Sequence, residues 1–187
     1  MLEVEIKFRV ADFADLETRL IERGAHFSRS SEEIDQYFNA PDRDFARTDE
    51  ALRLRRIGSE NFVTYKGPKL DALSKTRTEI EVPLQRGQPS ADAFTALLGQ
   101  LGYRPVREVS KLRRIYELEE DGFVIEVCLD EIQSLGKFAE LEIVAPEDQL
   151  EIARSLLLRI ARDLGLAQSE RRSYLELLLA AQGDKQA

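Results

Sequence analysis

The sequence predicts an α+β fold: a closed eight-stranded antiparallel β-barrel with helices packed on its outside. Three observations carry this reading. Many short runs alternate apolar and charged residues, the period-two signature of strands with two unlike faces. Short turn-like breaks separate these runs, which favours antiparallel neighbours in a barrel or sandwich. Between and after them lie a few stretches with helical spacing, long enough to cover a sheet.

Residues 2–10, LEVEIKFRV, alternate apolar and charged and read as the first strand. Residues 12–24 place Phe13, Leu16, Leu20 and Ile21 at helical spacing, with Asp12 as N-cap and Gly24 as stop. Strands follow at 34–39, 51–57 and 61–67, then a Gly-, Pro- and Lys-rich loop over 67–75 and a strand over 76–84. A helix spans 90–101 and stops at Gly102. Three more strands read as 109–118, 122–131 and 137–144. Pro146 opens a long amphipathic helix, and a last helix begins near Ser169. No repeat, linker or low-complexity segment appears, so residues 1–187 read as one domain with a frayed tail, GDKQA, over 183–187.

The chain has 187 residues, 43% apolar and 33% charged, which excludes a disordered or collagen-like class. Its net charge of -8 argues against a general nucleic-acid binder. The single cysteine, Cys128, excludes an internal disulfide framework and a cysteine-rich zinc site, and fits a reducing cytoplasm. No apolar run reaches membrane-spanning length and no signal peptide is visible, so the expected setting is cytoplasmic with no membrane partner.

Sorting each strand by parity separates an apolar face from a charged one. The charged faces hold Glu3, Glu5, Lys7 and Arg9; Arg53 and Arg55; Thr64 and Lys66; Arg77, Glu79 and Glu81; Lys111 and Arg113; Glu126 and Asp130; Glu140 and Glu142. A one-sided sheet with its charges in water is the plain alternative. The clustering of like charges argues against it. Residues i and i+2 on one face lie roughly 7 Å apart, and three strands carry Glu-x-Glu there while two carry paired cations. Adjacent like charges repel, so a sheet selected for stability alone would mix signs. Paired carboxylates suit a hard cation such as Mg²⁺ or Mn²⁺, and clustered Lys and Arg suit phosphate oxygens. Both on one inward face suit a metal-bound polyphosphate.

The motifs extend this reading. Glu3-Val4-Glu5-Ile6-Lys7 resembles the ExExK signature of the CYTH superfamily, the triphosphate tunnel metalloenzymes. Asp35-Gln36-Tyr37-Phe38, Leu52-Arg53-Leu54-Arg55, Thr64-Tyr65-Lys66-Gly67-Pro68, Arg77-Thr78-Glu79-Ile80-Glu81, Lys111-Leu112-Arg113 and Glu140-Leu141-Glu142 resemble its further elements, in family order and over nearly the whole chain. Within that superfamily the chain most resembles the class IV adenylate cyclase branch. The features are Asp130 followed by Leu135-Gly136-Lys137-Phe138, and the ending Ser173-Tyr174-Leu175-Glu176-Leu177. The resemblance implies an eight-stranded tunnel and Mg²⁺ or Mn²⁺ as cofactor. It makes Glu3, Glu5, Glu140 and Glu142, with Asp130, candidate metal ligands. It gives Lys7, Arg53, Arg55, Lys66, Lys111 and Arg113, with Arg77, to the triphosphate, and among these Lys7, Lys66, Lys111 and Arg113 to catalysis.

Other residues carry less chemistry. His26 reads as a surface loop residue, so a histidine-based acid–base site is not expected. Cys128 reads as a buried structural thiol sharing parity with Glu126 and Asp130. Tyr37 either lines the tunnel or packs. Lys69 and Lys75 sit in a loop that would close over a substrate or remain solvated. The leucines of the last two helices read as core or homodimer contacts. The implied function is an adenylate cyclase that makes cyclic AMP and pyrophosphate from ATP. The alternatives are an inorganic or organic triphosphatase, acting on tripolyphosphate or thiamine triphosphate, and a non-catalytic polyphosphate or nucleotide binder. The expected partner in each case is a nucleoside triphosphate or another triphosphate.

Overall fold

The computed structural model describes residues 2–68 and 77–183. Eight strands form one antiparallel sheet: β1 (Leu2–Val10), β2 (His26–Asn39), β3 (Ala51–Ile57), β4 (Glu60–Lys66), β5 (Glu79–Leu84), β6 (Arg104–Glu120), β7 (Phe123–Ile132) and β8 (Gly136–Ala145). Their order across the sheet is β1-β8-β7-β6-β2-β3-β4-β5. The helices are α1 (Ala14–Glu22), α2 (Phe45–Thr48), α3 (Gln88–Gln100), α4 (Leu150–Asp163) and α5 (Tyr174–Gly183). No helix among the described residues is long and apolar enough to cross a membrane.

The expected alternation sets the curl. Val4, Ile6 and Phe8 of β1 face outward and pack with Leu16 and Leu20 of α1 and with Leu157 and Ile160 of α4. On the other half, Phe38 and Leu54 pack with Ala91 and Leu98 of α3. Each such fully buried side chain contributes about 1.5–3 kcal/mol relative to exposure, so the helices hold the sheet by its convex face. The charged parity face is left on the concave side. α5 crosses that concave side at one end, where Tyr174, Leu177 and Leu178 pack on Tyr37, Val109, Ile132 and Phe138.

The architecture corrects the expected closure. The sheet is a curled half-barrel: β1 and β5 are its end strands, and among the described residues the two edges are joined by an isolated bridge between Glu3 and Arg77, just before β5. The reason lies on the free edge of β1. A bridge from Phe8 to Ser169 and a hydrogen bond from the Glu170 N–H to the Lys7 carbonyl, 2.7 Å, already occupy it. Only the Glu3 end remains for the opposite wall. Pro83, with no N–H to donate, sits on the other end strand, β5, where proline is tolerated.

Local differences have local causes. The N-cap position of α1 falls at Phe13, one residue after the expected Asp12, whose carboxylate accepts from Lys137 Nζ at 2.6 Å and from the backbone at Phe13 and Ala14. Gly24 does end that helix, with φ +92. β2 begins at His26 rather than near residue 34, because the polar run from His26 to Glu33 pairs with β6 along most of its length, with an irregularity between Phe27 and Arg29. His26 is exposed and opens that strand rather than lying in a loop, with its Nε2 3.7 Å from Glu117. α2 was not expected. It forms because Asp44 caps it through the Ala46 N–H and Asp49 ends it in the left-handed region. The Lys69 and Lys75 readings, and the tail beyond Gly183, fall outside the described residues.

Candidate active site

A cavity of 610 Å³ fills the concave side of the sheet. The parity rule that separates charged from apolar faces brings Glu3, Glu5 and Lys7 of β1 into it, with Arg53 and Arg55 of β3, Lys66 of β4, Lys111 and Arg113 of β6, and Glu140 and Glu142 of β8. Arg77, just before β5, joins them. Of the residues expected at the site, Asp130 alone does not line the cavity.

The cations are held from behind by buried carboxylates. Arg55 donates to both Asp35 oxygens at 2.7 Å, and Arg53 lies 3.4 Å from the same group. Burial alone would push the Asp35 carboxyl up, but the Arg53 and Arg55 guanidiniums outweigh it and hold it well below the usual carboxylate range. Arg113 makes the matching fork to Asp130 at 2.7 and 2.6 Å and also donates to Glu140. Lys111 lies 3.3 Å from both Glu33 and Asp130. Such bidentate pairs fix a guanidinium plane in place.

The carboxylates gather on the neighbouring wall. Glu5 stands directly opposite Glu142 in the β1–β8 register, and Lys7 opposite Glu140. One ligand oxygen from each of Glu3, Glu5 and Glu142 lies within 4.8 Å of the others. Burial pushes Glu142 well above the ordinary value. Arg113 opposes that, while Glu3, Glu140 and Glu5 reinforce it. Burial likewise raises Glu3 to about 7, against Lys66 and with Glu79 and Glu5. Three crowded, partly desolvated carboxylates are a donor set that fits a hard divalent cation.

Across the cavity, burial and the nearby Arg53 push Lys66 below its ordinary value, while Glu79 and Glu3 pull it back. Lys66 donates to Glu79. Lys7 is fully buried, with Nζ 3.7 Å from Glu140 and 4.0 Å from the Tyr174 ring centre.

Some residues of the site were not singled out for it in the sequence. Glu33 lies in the polar start of β2, which carries no strand alternation, and its 3.1 Å contact to Arg55 follows only from pairing with β6 and β3. Tyr174 reads from sequence as part of an apolar helix, yet its hydroxyl donates to Asp130 at 2.9 Å and its ring closes one end of the cavity. Tyr37 both packs and lines the cavity. The wider rim is apolar, with Phe38, Phe45, Phe62, Val106, Leu175 and Leu179.

Comparison with known proteins agrees with this architecture. The CYTH domain model matches residues 1–174. A Methanocaldococcus jannaschii protein named "Putative adenylate cyclase MJ0240" is 38% identical over 95% of this chain and 98% of its own. The Aeromonas hydrophila protein named "Adenylate cyclase CyaB" is 30% identical over 94% of this chain and 87% of its own. The solved structure of the PH1819 protein from Pyrococcus horikoshii OT3 is 43% identical, superimposes with a TM-score of 0.84, and covers 96% of this chain and 99% of its own.

Proposed function

The chain belongs to the CYTH domain family, and on that premise we propose that it is a divalent-metal-dependent adenylate cyclase that converts ATP to cyclic AMP and pyrophosphate. The observation that carries the reading is the single cavity in which seven expected phosphate-binding cations face the Glu3–Glu5–Glu142 cluster.

Charge balance supports a metal. Eight basic and fourteen acidic side chains line the cavity. That excess of carboxylates repels a bare triphosphate, and Mg²⁺ or Mn²⁺ would offset part of it where the carboxylates cluster. Glu3, Glu5 and Glu142 would hold the ion, with Glu140 beside them. Bound there, it would draw charge from the α-phosphate oxygens. Asp130 takes a different role from the one first expected: it fixes Arg113 and Lys111 and is fully enclosed.

The side chains supply position. Lys66, Arg53, Arg55 and Arg77 on one wall, and Lys7, Lys111 and Arg113 on the other, would grip the phosphate chain so that the α-phosphorus faces the ribose. The ribose 3′-hydroxyl would give up its proton to solvent as its oxygen attacks that phosphorus, the phosphorus bond to the α,β-bridging oxygen would break, and pyrophosphate would leave. The rate comes from in-line placement and preset charge rather than from a covalent intermediate. The apolar rim supports a substrate with an organic part, since a nucleobase would cover Phe45 and Phe62 and a bare phosphate chain would not.

A triphosphatase is the second reading, because the same seven cations would hold a phosphate chain with or without a nucleoside attached. Incubation with ATP or tripolyphosphate, each with Mg²⁺ or Mn²⁺, followed by chromatography of the products, tests the choice. Cyclic AMP with pyrophosphate supports the cyclase. ADP with phosphate, or faster turnover of tripolyphosphate, replaces it with the triphosphatase.

A further inference from the structure

We propose that Glu126, Cys128 and Glu142 form a second metal position, one that selects a thiophilic divalent ion such as Zn²⁺ over Mg²⁺. One ligand atom from each of the three lies within 4.8 Å of the others. The register explains the grouping. Glu126 of β7 stands directly opposite Glu142 of β8, and Cys128 follows Glu126 on the same face. Two like charges placed opposite each other destabilise a sheet unless something cationic separates them. The nearest cations are only partial answers: Arg113 lies 3.7 Å from Glu142, and Arg29 lies 4.0 Å from Glu126.

The thiol is the second observation. Cys128 is fully buried and makes no hydrogen bond among the described residues. Its cross-strand neighbours are Ile115 on β6 and Glu140 on β8. Its sulfur nonetheless belongs to the group formed with the two carboxylates. Glu126 is half-buried and, like Glu142, lines the cavity, so an ion has a path from solvent.

Chemistry sets the class of ion. Sulfur beside two oxygens suits Zn²⁺, Co²⁺ or Cd²⁺ and gives no advantage to Mg²⁺, which prefers oxygen alone. On ligation the sulfur–metal bond forms and the thiol proton leaves to solvent. Three protein ligands leave a coordination position open. Glu142 also belongs to the Glu3–Glu5–Glu142 set, so Zn²⁺ at this position withdraws a carboxylate from the Mg²⁺ or Mn²⁺ position. Inhibition of turnover by Zn²⁺, relieved by excess Mn²⁺, is a consequence that rests on the proposed function; the site itself does not.

The test is titration of the wild-type protein with Co²⁺ alone, without any triphosphate. Cys128 is the sole cysteine of the chain, so a thiolate-to-cobalt charge-transfer band reports this position and no other. The proposal requires a band that saturates and that Zn²⁺ removes. Cys128→Ser abolishes it and weakens Zn²⁺ binding by about tenfold or more, and Glu126→Gln weakens Zn²⁺ binding to a similar degree. Absence of the band in the wild type, or equal Zn²⁺ affinity in wild type and Glu126→Gln, overturns the proposal. The wild-type band and the half-buried Glu126 keep the test valid even if Cys128→Ser folds poorly. Turnover with Mg²⁺ is read separately, so a missing band and a missing cyclase activity are distinct results.

Discussion

Glu5 and Glu142 face each other directly across the β1–β8 ladder, with Glu3 completing a three-carboxylate cluster beside them. In the absence of metal their mutual repulsion works against the fold. Glu142→Gln removes one charge and keeps the shape. It is expected to stabilise the metal-free protein by about 0.5–1 kcal/mol and to lower metal-dependent activity on the order of 100-fold. Thermal melts in chelator, paired with turnover assays in Mn²⁺, check both signs.

The pH dependence follows from Glu3, whose folded pKa of about 7 lies above its usual 4.5. A carboxylate with a raised folded pKa favours the fold while protonated. Its contribution is therefore present below about 4.5 and is lost as pH rises to about 7. The metal-free protein is expected to lose stability over that window through this group. Metal binding must displace the proton, so Mn²⁺ affinity is expected to rise with pH through about 7. Calorimetry in buffers of different ionisation heat measures the proton released. No release at pH 6 contradicts this assignment.

Asp130 sits under the basic wall, bonded to Arg113, Lys111 and Tyr174. Asp130→Asn leaves two buried cations short of a counter-charge and is expected to cost about 3–5 kcal/mol in urea unfolding. Tyr174→Phe removes only the hydroxyl donated to Asp130 and keeps the ring near Lys7, so about 1 kcal/mol is expected. Equal effects of the two substitutions would show that Asp130 does not carry the network.

The sequence made the alternating strands legible, and with them the inward set Glu3, Glu5, Lys7, Arg53, Arg55, Lys66, Lys111, Arg113, Glu140 and Glu142. Parity alone suffices there, because each strand has one apolar and one charged face. It fails where pairing partners decide the structure. The polar start of β2 becomes strand by pairing with β6, and Glu33, where pairing with β3 begins, lies between the two. Tyr174 reaches the site because α5 folds back over the concave face, a contact no local pattern encodes. Closure was over-read for a similar reason: the edge that would pair β1 with β5 is occupied by Ser169 and Glu170, far along the chain.

Phe62 tests the organic part of the substrate. It lines the apolar rim directly opposite Arg55 in the β3–β4 register. Phe62→Ala is expected to raise KM for ATP about fivefold, consistent with losing roughly 1 kcal/mol of aromatic contact. Inhibition by tripolyphosphate should stay unchanged. Equal weakening of both ligands would place Phe62 in scaffold packing rather than beside the nucleoside.

The central claim is that one cavity holds metal on its carboxylate cluster and triphosphate on its basic walls. The most direct measurement is an anomalous-difference map from crystals grown with Mn²⁺ and an ATP analogue that cannot cyclise. The account predicts a Mn²⁺ peak coordinated by Glu3, Glu5 and Glu142, with phosphate oxygens against Lys66, Lys111 and Arg113. A triphosphate bound outside the concave face, or Mn²⁺ that touches none of these three glutamates, would contradict it.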